Sequence, residues 1–220
     1  MKILRAWLTP AECARWVAGV YAARSAWTSD FGGEQFTLGR AFYTHLEQDR
    51  TRAYFEDARA SDARVEAHAP GLQARLRALV AMSTDGEAHP RRGWCGAGVH
   101  VFPHDGHVAR HGGVVHFDTE GLSAHHITRR GASLTAVVML QPPDNGGGLR
   151  VWDVTYSGHD APTDAELFSP STIATYGVGD VVIIDSYRLH QIQPFGGTRD
   201  RISATIHAAE IDRARWETWF

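Results

Sequence analysis

The sequence predicts a mainly β domain, a sandwich or barrel buttressed by N-terminal helices. Three observations predict it. β-Branched runs recur at short intervals after Asp85. Gly-, Pro- and Asn-rich turn signals separate them: PHDG, PPDNGGG, GVGD and GGTRD. Helix-period patterns are confined to the first third of the chain, so the order is helices first and strands later, which is not the alternation of a βαβ fold.

The elements follow in order. Thr9-Pro10-Ala11-Glu12 is a helix start: Thr9 can cap, Pro10 suits the first helical position, and Glu12 can reach back to the cap. That helix is expected to run to about Ala23, with Cys13, Trp16, Val17 and Val20 on the buried face. A Gly-containing segment, FGGEQFTLGRAFYTH, comes next. Helical patterns resume near Thr51 to Arg59 and over Pro70 to Met82, where Leu72, Leu76, Leu79 and Val80 form one stripe. The strand signals are GVHVF, VVHF, LTAVVMLQ, LRVWDV, STIATY, DVVIID, HQIQPF and RISATIHA. With no repeat or linker in view, residues 1–220 read as a single domain: about 1–90 a helical buttress and possible lid, about 95–210 the β core.

Composition narrows the function. The chain has 220 residues, 43% of them hydrophobic and 21% charged, enough to bury a core. A formal charge of −3 supplies no basic field for nucleic acid. Two cysteines, Cys13 and Cys95, do not make a disulfide framework and suit a reducing, cytoplasmic setting. MKILRAWLTPAECARW does not read as a secretory signal, because Arg5 and Glu12 break its apolar run, and no stretch approaches the length of a membrane span. Lys2 is the sole lysine, so any internal cationic anchor must be Arg or protonated His.

The chemistry concentrates around VVHFDTEG. In a chain of this composition a His-x-Asp is expected about once by chance, so its surroundings must decide between a metal site and a strand end with two polar residues. Alternation puts His116 and Asp118 on one face. Two His and one carboxylate on one face of an octahedron hold non-haem iron(II) and leave three positions open. The third ligand must come from a strand remote in sequence, and His190, between VVIID and QIQPF, fits. Eleven residues on, Arg201 shares a face with Ser203, Thr205 and His207, while Ile202, Ala204 and Ile206 take the other. The apolar set suits packing on helices. The polar set suits the wall of a cavity that holds an anion, which a guanidinium grips through parallel hydrogen bonds that Ser203 can extend.

Taken together, His116-Phe117-Asp118, distal His190 and Arg201-Ile202-Ser203, with GGGLRVWD and GVGDVVIIDSYRLH in the right order, resemble the iron(II)- and 2-oxoglutarate-dependent oxygenases. The resemblance spans about Val99 to Ala208. It implies a double-stranded β-helix (jelly-roll, cupin-like) core, with His116, Asp118 and His190 as iron ligands. It implies Fe(II), 2-oxoglutarate and O2 as cofactor and cosubstrates, with Arg201 and Ser203 on the far carboxylate of 2-oxoglutarate and His100 in the flanking pocket. The prolyl-hydroxylase branch of the family often uses Lys where this chain has Arg201. A halogenating branch lacks the Asp, so Asp118 favours hydroxylation. TLGRAFYTHLE is similar to segments of small amino-acid hydroxylases and halogenases. The activity so implied is hydroxylation of an unactivated C–H bond in a small molecule, such as an amino acid or natural-product intermediate, with release of succinate and CO2.

Arg130 and Arg150 are candidates for binding a substrate carboxylate, and Tyr43, His45 and Arg40 for a lid. Each has an ordinary alternative as a solvated or packed residue. His104, His107, His111, His125 and His126 are expected in turns or along the site, and Trp152, Trp216 and Trp219 in packing. Other functions remain open at this point: a protein or peptide hydroxylase of the same fold, a non-catalytic cupin-like metal-binding protein, or a cupin isomerase or hydrolase with another divalent metal.

Overall fold

The computed structural model describes residues 1–220. Thr9 caps the helix Pro10–Ala22 as its sequence dictates: its hydroxyl accepts from the Glu12 amide, and the Glu12 carboxylate accepts from the Thr9 amide at 2.8 Å. Further helices cover Phe42–Glu47, Thr51–Glu56, Ala58–His68 and Leu72–Thr84. Helix and strand hold equal shares of the chain, so the expectation of a mainly β protein is corrected. Ala58–His68 escaped periodicity because its buried face consists only of Ala58, Ser61 and Val65, small residues with little apolar contrast.

The large sheet runs in the order Lys2–Leu4, Val181–Asp185, Ser133–Gln141, Arg201–Asp212, Gly98–Phe102, Gln35–Leu38, Thr28–Asp30, with antiparallel neighbours throughout. Of its last two strands, Gln35–Leu38 lies in the segment FGGEQFTLG and Thr28–Asp30 just before it, each too short to declare itself in the sequence. Arg201–Asp212 continues into a hairpin with Arg215–Trp219, which pairs in parallel with Glu87–Pro90. A second sheet has the order Arg188–Ile192, Leu149–Thr155, Ser171–Ala174. VVHF is not a ladder strand; it touches this sheet through a single bridge, His116 to His190.

One apolar cluster joins the helices to the outer face of the large sheet. Cys13, Trp16 and Val20 meet Leu72, Leu76 and Leu79, and all pack over Ile202, Ala204 and Ile206. Each fully buried Leu or Ile there contributes roughly 1.5–3 kcal/mol. The expected alternation therefore holds: the apolar side of RISATIHA faces the helices, leaving Arg201, Ser203, Thr205 and His207 to line the inside. Gly19 lets the first helix approach Ala58–His68, since a Cβ there would lie 1.7 Å from the His68 carbonyl oxygen. No helix is long and apolar enough to cross a membrane.

Candidate metal centre and anion pocket

The bridge between His116 and His190 is reciprocal: each amide donates to the other's carbonyl, at 3.1 and 2.9 Å. Residues opposed across an antiparallel bridge put their side chains on one face, and the two rings lie 4.3 Å apart. The Asp118 amide donates to the Ser186 carbonyl, which fixes the carboxylate beside them. His116 Nε2 stands 3.4 Å from Asp118 Oδ1, and His190 Nε2 3.4 Å from Asp118 Oδ2.

Hydrogen bonding assigns the tautomers. His116 Nδ1 lies 2.8 Å from the Val114 carbonyl and His190 Nδ1 2.9 Å from the Arg188 carbonyl. A carbonyl only accepts, so both Nδ1 atoms carry hydrogen, and the neutral rings turn Nε2 lone pairs toward Asp118. Asp118 Oδ2 is buried and accepts no hydrogen bond. Lone pairs that converge with no donor between them repel unless a cation or proton sits among them. The ligand atoms all lie within 4.8 Å of one another, and the donor set, two imidazoles and a carboxylate, fits a divalent transition metal. Without a cation a proton must serve. Burial pushes His116 down, but its bond to Asp118 and the carboxylate's charge outweigh it and raise the imidazole to about 9. Burial, only partly offset by Asp118, holds His190 down at about 4. Burial pushes the Asp118 carboxyl up, and the neighbouring imidazoles more than reverse it, holding it well below the usual carboxylate range.

Arg201 is 1% exposed. Its Nη1 donates to Ser203 Oγ at 3.0 Å and its Nε to the Gly147 carbonyl at 3.1 Å. Its Nη2 is buried with no partner, and so is the hydroxyl of Tyr176, whose ring faces the guanidinium at 5.6 Å. Two unspent donors beside a buried cation describe a seat for an anionic oxygen pair. Burial lowers the Arg201 pKa, yet a guanidinium is basic enough to stay charged, and burial raises Tyr176 to about 12, so that its hydroxyl keeps its proton. Tyr176 was missed in the sequence, although alternation carried it: Thr172 and Ala174 pair with inward-facing Val151 and Leu149, and Tyr176 continues that face.

His100 opposes Ser203 across the ladder, stacked on Phe102. Its Nδ1 meets Thr205 Oγ1 at 3.3 Å and its Nε2 the Tyr43 hydroxyl at 3.2 Å; that hydroxyl in turn accepts from Gln35 at 2.6 Å. Burial, with His207 and Arg201 nearby, lowers His100 to about 3, so it is neutral. Tyr43 thus belongs to the site wall. The other lid candidates do not. Arg40 donates to Asp57 at 2.7 Å and to His45 Nε2 at 2.9 Å, and buried His45 donates from Nδ1 to the Ala41 carbonyl, so both are spent inside the buttress. Arg150 pairs with Gln191 and Ile173, whereas Val151 pairs with His190, so Arg150 faces away from the metal centre. Arg130 caps the Ala124–Arg129 helix from an αL position and lies over Tyr156 and Tyr187 at 5.1 Å, lining a separate cleft with Lys2 and Asp185.

A cavity of about 620 Å³ is walled by residues that include Phe42, Glu47, Trp94 and Tyr156, with Thr119 and Glu120, which follow Asp118 in the chain. Burial and the nearby Asp118 raise the Glu120 carboxyl to about 7.

No family model and no curated protein matches the sequence. Solved structures do match the fold. The epimerase SnoN, in complex with Fe3+, alpha ketoglutarate and nogalamycin RO, superposes with a TM-score of 0.57 at 16% identity, covering 92% of this chain and 76% of SnoN. The non-heme alpha ketoglutarate dependent carbocyclase SnoK from nogalamycin biosynthesis gives 0.56 at 16% identity, covering 96% of this chain and 79% of SnoK. At such identity the match establishes architecture: the chain has the fold of the non-haem iron, 2-oxoglutarate-dependent enzymes.

Proposed function

We propose that this chain, built on the fold of the iron(II)/2-oxoglutarate-dependent enzymes, is itself such an oxygenase and hydroxylates an unactivated C–H bond of a small molecule. The observation that carries the reading is the pairing of two unsatisfied sites: converging lone pairs at His116, Asp118 and His190, and unspent buried donors at Arg201 and Tyr176.

His116, Asp118 and His190 would hold the iron, and Arg201, Ser203 and Tyr176 the far carboxylate of 2-oxoglutarate. Bound there, iron with 2-oxoglutarate and O2 supplies the oxidising power to remove hydrogen from carbon, leaving succinate and CO2. The chain's own residues do the rest. The Val114 and Arg188 carbonyls hold both imidazoles in the ligating tautomer. His100, neutral and locked between Tyr43 and Thr205, keeps the anion pocket free of a second cation and fills space that water would take. The cavity that Thr119 and Glu120 help to line is of a size for a small molecule, and SnoN and SnoK, which share the fold, belong to nogalamycin biosynthesis.

The test is turnover of 2-oxoglutarate with Fe(II), ascorbate and air across free amino acids, small metabolites and peptides, reading succinate and product mass. Coupled succinate and a gain of one oxygen in a small molecule are expected. Metal binding without any consumption of 2-oxoglutarate would instead mark a cupin-like binding protein, and coupling only to peptides a protein hydroxylase. A product of unchanged mass, or one lighter by two hydrogens, would replace hydroxylation by epimerisation or by ring closure or desaturation.

A further inference from the structure

One imidazole on the inner face of Arg201–Asp212 has no part in the metal centre or the anion pocket. His207 is the fourth of the inward residues, after Arg201, Ser203 and Thr205, and it is nine-tenths buried. Six residues separate it from Arg201, roughly 20 Å along a strand, more than a five-carbon diacid seated on Arg201 can span. It is not an iron ligand either: it lies outside the ligand group, and no ion pair or hydrogen bond joins it to Asp118. Asp118 is nonetheless the strongest charge acting on it. The ring stacks on its cross-strand partner Trp219. Trp219 in turn packs edge-on at 6.0 Å from Trp94, which lines the 620 Å³ cavity.

Counting hydrogens assigns the tautomer. His207 Nδ1 meets Thr135 Oγ1 at 2.9 Å, and Thr135 Oγ1 meets Ser186 Oγ at 3.5 Å. Ser186 is 2% exposed, and its hydroxyl has no other partner in the fold. If Nδ1 carried hydrogen, Thr135 would pass its own to Ser186, and the Ser186 hydrogen would be buried without an acceptor. In the opposite direction every hydrogen is used: Ser186 donates to Thr135, and Thr135 donates to Nδ1. Burial lowers the pKa of His207, and Asp118 opposes that only in part, so the ring is neutral and holds one hydrogen. That hydrogen is on Nε2, which makes no hydrogen bond within the fold.

We propose that His207 is a substrate-binding residue, whose Nε2–H holds a carbonyl oxygen of the substrate near the metal centre. The proposal rests on the oxygenase reading for the nature of that centre. A buried donor with no acceptor in the fold is completed by an acceptor on the ligand. An ammonium, which only donates, cannot serve. A site that donates to a substrate oxygen rejects the analogue without one, because its own donor is then left unpaired.

The experiment uses the full chain with Zn(II) in place of iron, 2-oxoglutarate present, and histidine labelled with nitrogen-15. Two probes of one size are titrated, acetophenone and ethylbenzene, and the imidazole nitrogens are followed by proton–nitrogen correlation NMR. His207 is expected to appear neutral with hydrogen on Nε2, and that nitrogen to shift on addition of acetophenone only. Acetophenone is expected to bind at least fivefold tighter than ethylbenzene. In His207→Asn, whose Oδ1 can still accept from Thr135, the preference should fall below twofold. His207→Gln, which returns an amide donor near the place of Nε2, should restore part of it. Thermal melts and 2-oxoglutarate affinity should match the parent in both variants. Hydrogen on Nδ1, equal binding of the two probes, no saturable acetophenone binding, or a preference that survives in His207→Asn overturns the proposal. Equilibrium dialysis of labelled 2-oxoglutarate on the same Zn(II) protein separates the two readings. If 2-oxoglutarate fails to bind while the carbonyl preference holds, the oxygenase reading falls and the role of His207 stands.

Discussion

At the scale of single residues, what matters is which polar groups are left unsatisfied. Arg201 spends two of its nitrogens on Ser203 and Gly147 and keeps Nη2 free beside the free hydroxyl of Tyr176. On the proposed reading, Arg201→Lys replaces a planar fork with a point charge and weakens 2-oxoglutarate binding by about 10- to 100-fold, and Tyr176→Phe by about 5- to 10-fold, in equilibrium dialysis with Mn(II). Unchanged affinity in Tyr176→Phe would remove Tyr176 from the pocket. His100 makes a prediction about stability. Its folded pKa of about 3 lies below the ordinary imidazole value near 6.5, so the unfolded chain takes up a proton that the folded chain refuses. Stability is therefore intact above about pH 6.5 and falls as pH drops toward 3, at up to about 1.4 kcal/mol per pH unit from this one group. Urea denaturation between pH 4 and 7 should show that slope, shallower in His100→Gln. The structure gathers His116, Asp118 and His190 and sets Arg201 beside Ser203, a placement that alternation and order along the chain already constrain. The partners of Arg40, His45, Arg130 and Arg150 were not legible in the sequence, since a charged or polar side chain carries no mark of its partner. Asp57 for Arg40 and the outward face for Arg150 exist only once the chain is folded.

At the scale of elements, strong local signals were read closely and short or weak ones were not. The capping box and apolar stripe set Pro10–Ala22 to within a residue of its expected end, and GVHVF is the strand Gly98–Phe102. Thr28–Asp30 and Gln35–Leu38 are three and four residues long; Gln35–Leu38 joins the sheet by pairing with Gly98–Phe102, and Thr28–Asp30 by pairing with Gln35–Leu38, rather than through any pattern of their own. Val114–Phe117 shows the reverse: a β-branched run that gives up ladder pairing so that its one bridge can set two ligands side by side. Helix contact carries the testable case. Gly19 admits the His68 carbonyl against the first helix, and Gly19→Ala would drive a methyl group into backbone. Loss of roughly 1–3 kcal/mol in chemical denaturation is expected, despite the better helix propensity of Ala. A neutral or stabilising effect would mean that the two helices slide apart freely.

At the scale of the whole molecule, one division of labour explains the sequence. The apolar face of Arg201–Asp212 packs on the helices, and the polar face lines the interior with Arg201, Ser203, Thr205 and His207. The same strand thus anchors the core and presents the anion seat, while the second sheet delivers His190 to His116 across from it. Rigid ladders on both sides hold ligands and guanidinium in place before anything binds. The most direct measurement is an anaerobic titration of the protein with Fe(II) and then 2-oxoglutarate, followed by the visible charge-transfer band of the chelate. A band that saturates at one iron and one 2-oxoglutarate per chain, absent in Asp118→Ala and requiring much more 2-oxoglutarate in Arg201→Ala, is the predicted result. A band indifferent to both substitutions, or none at all with iron bound, would contradict it.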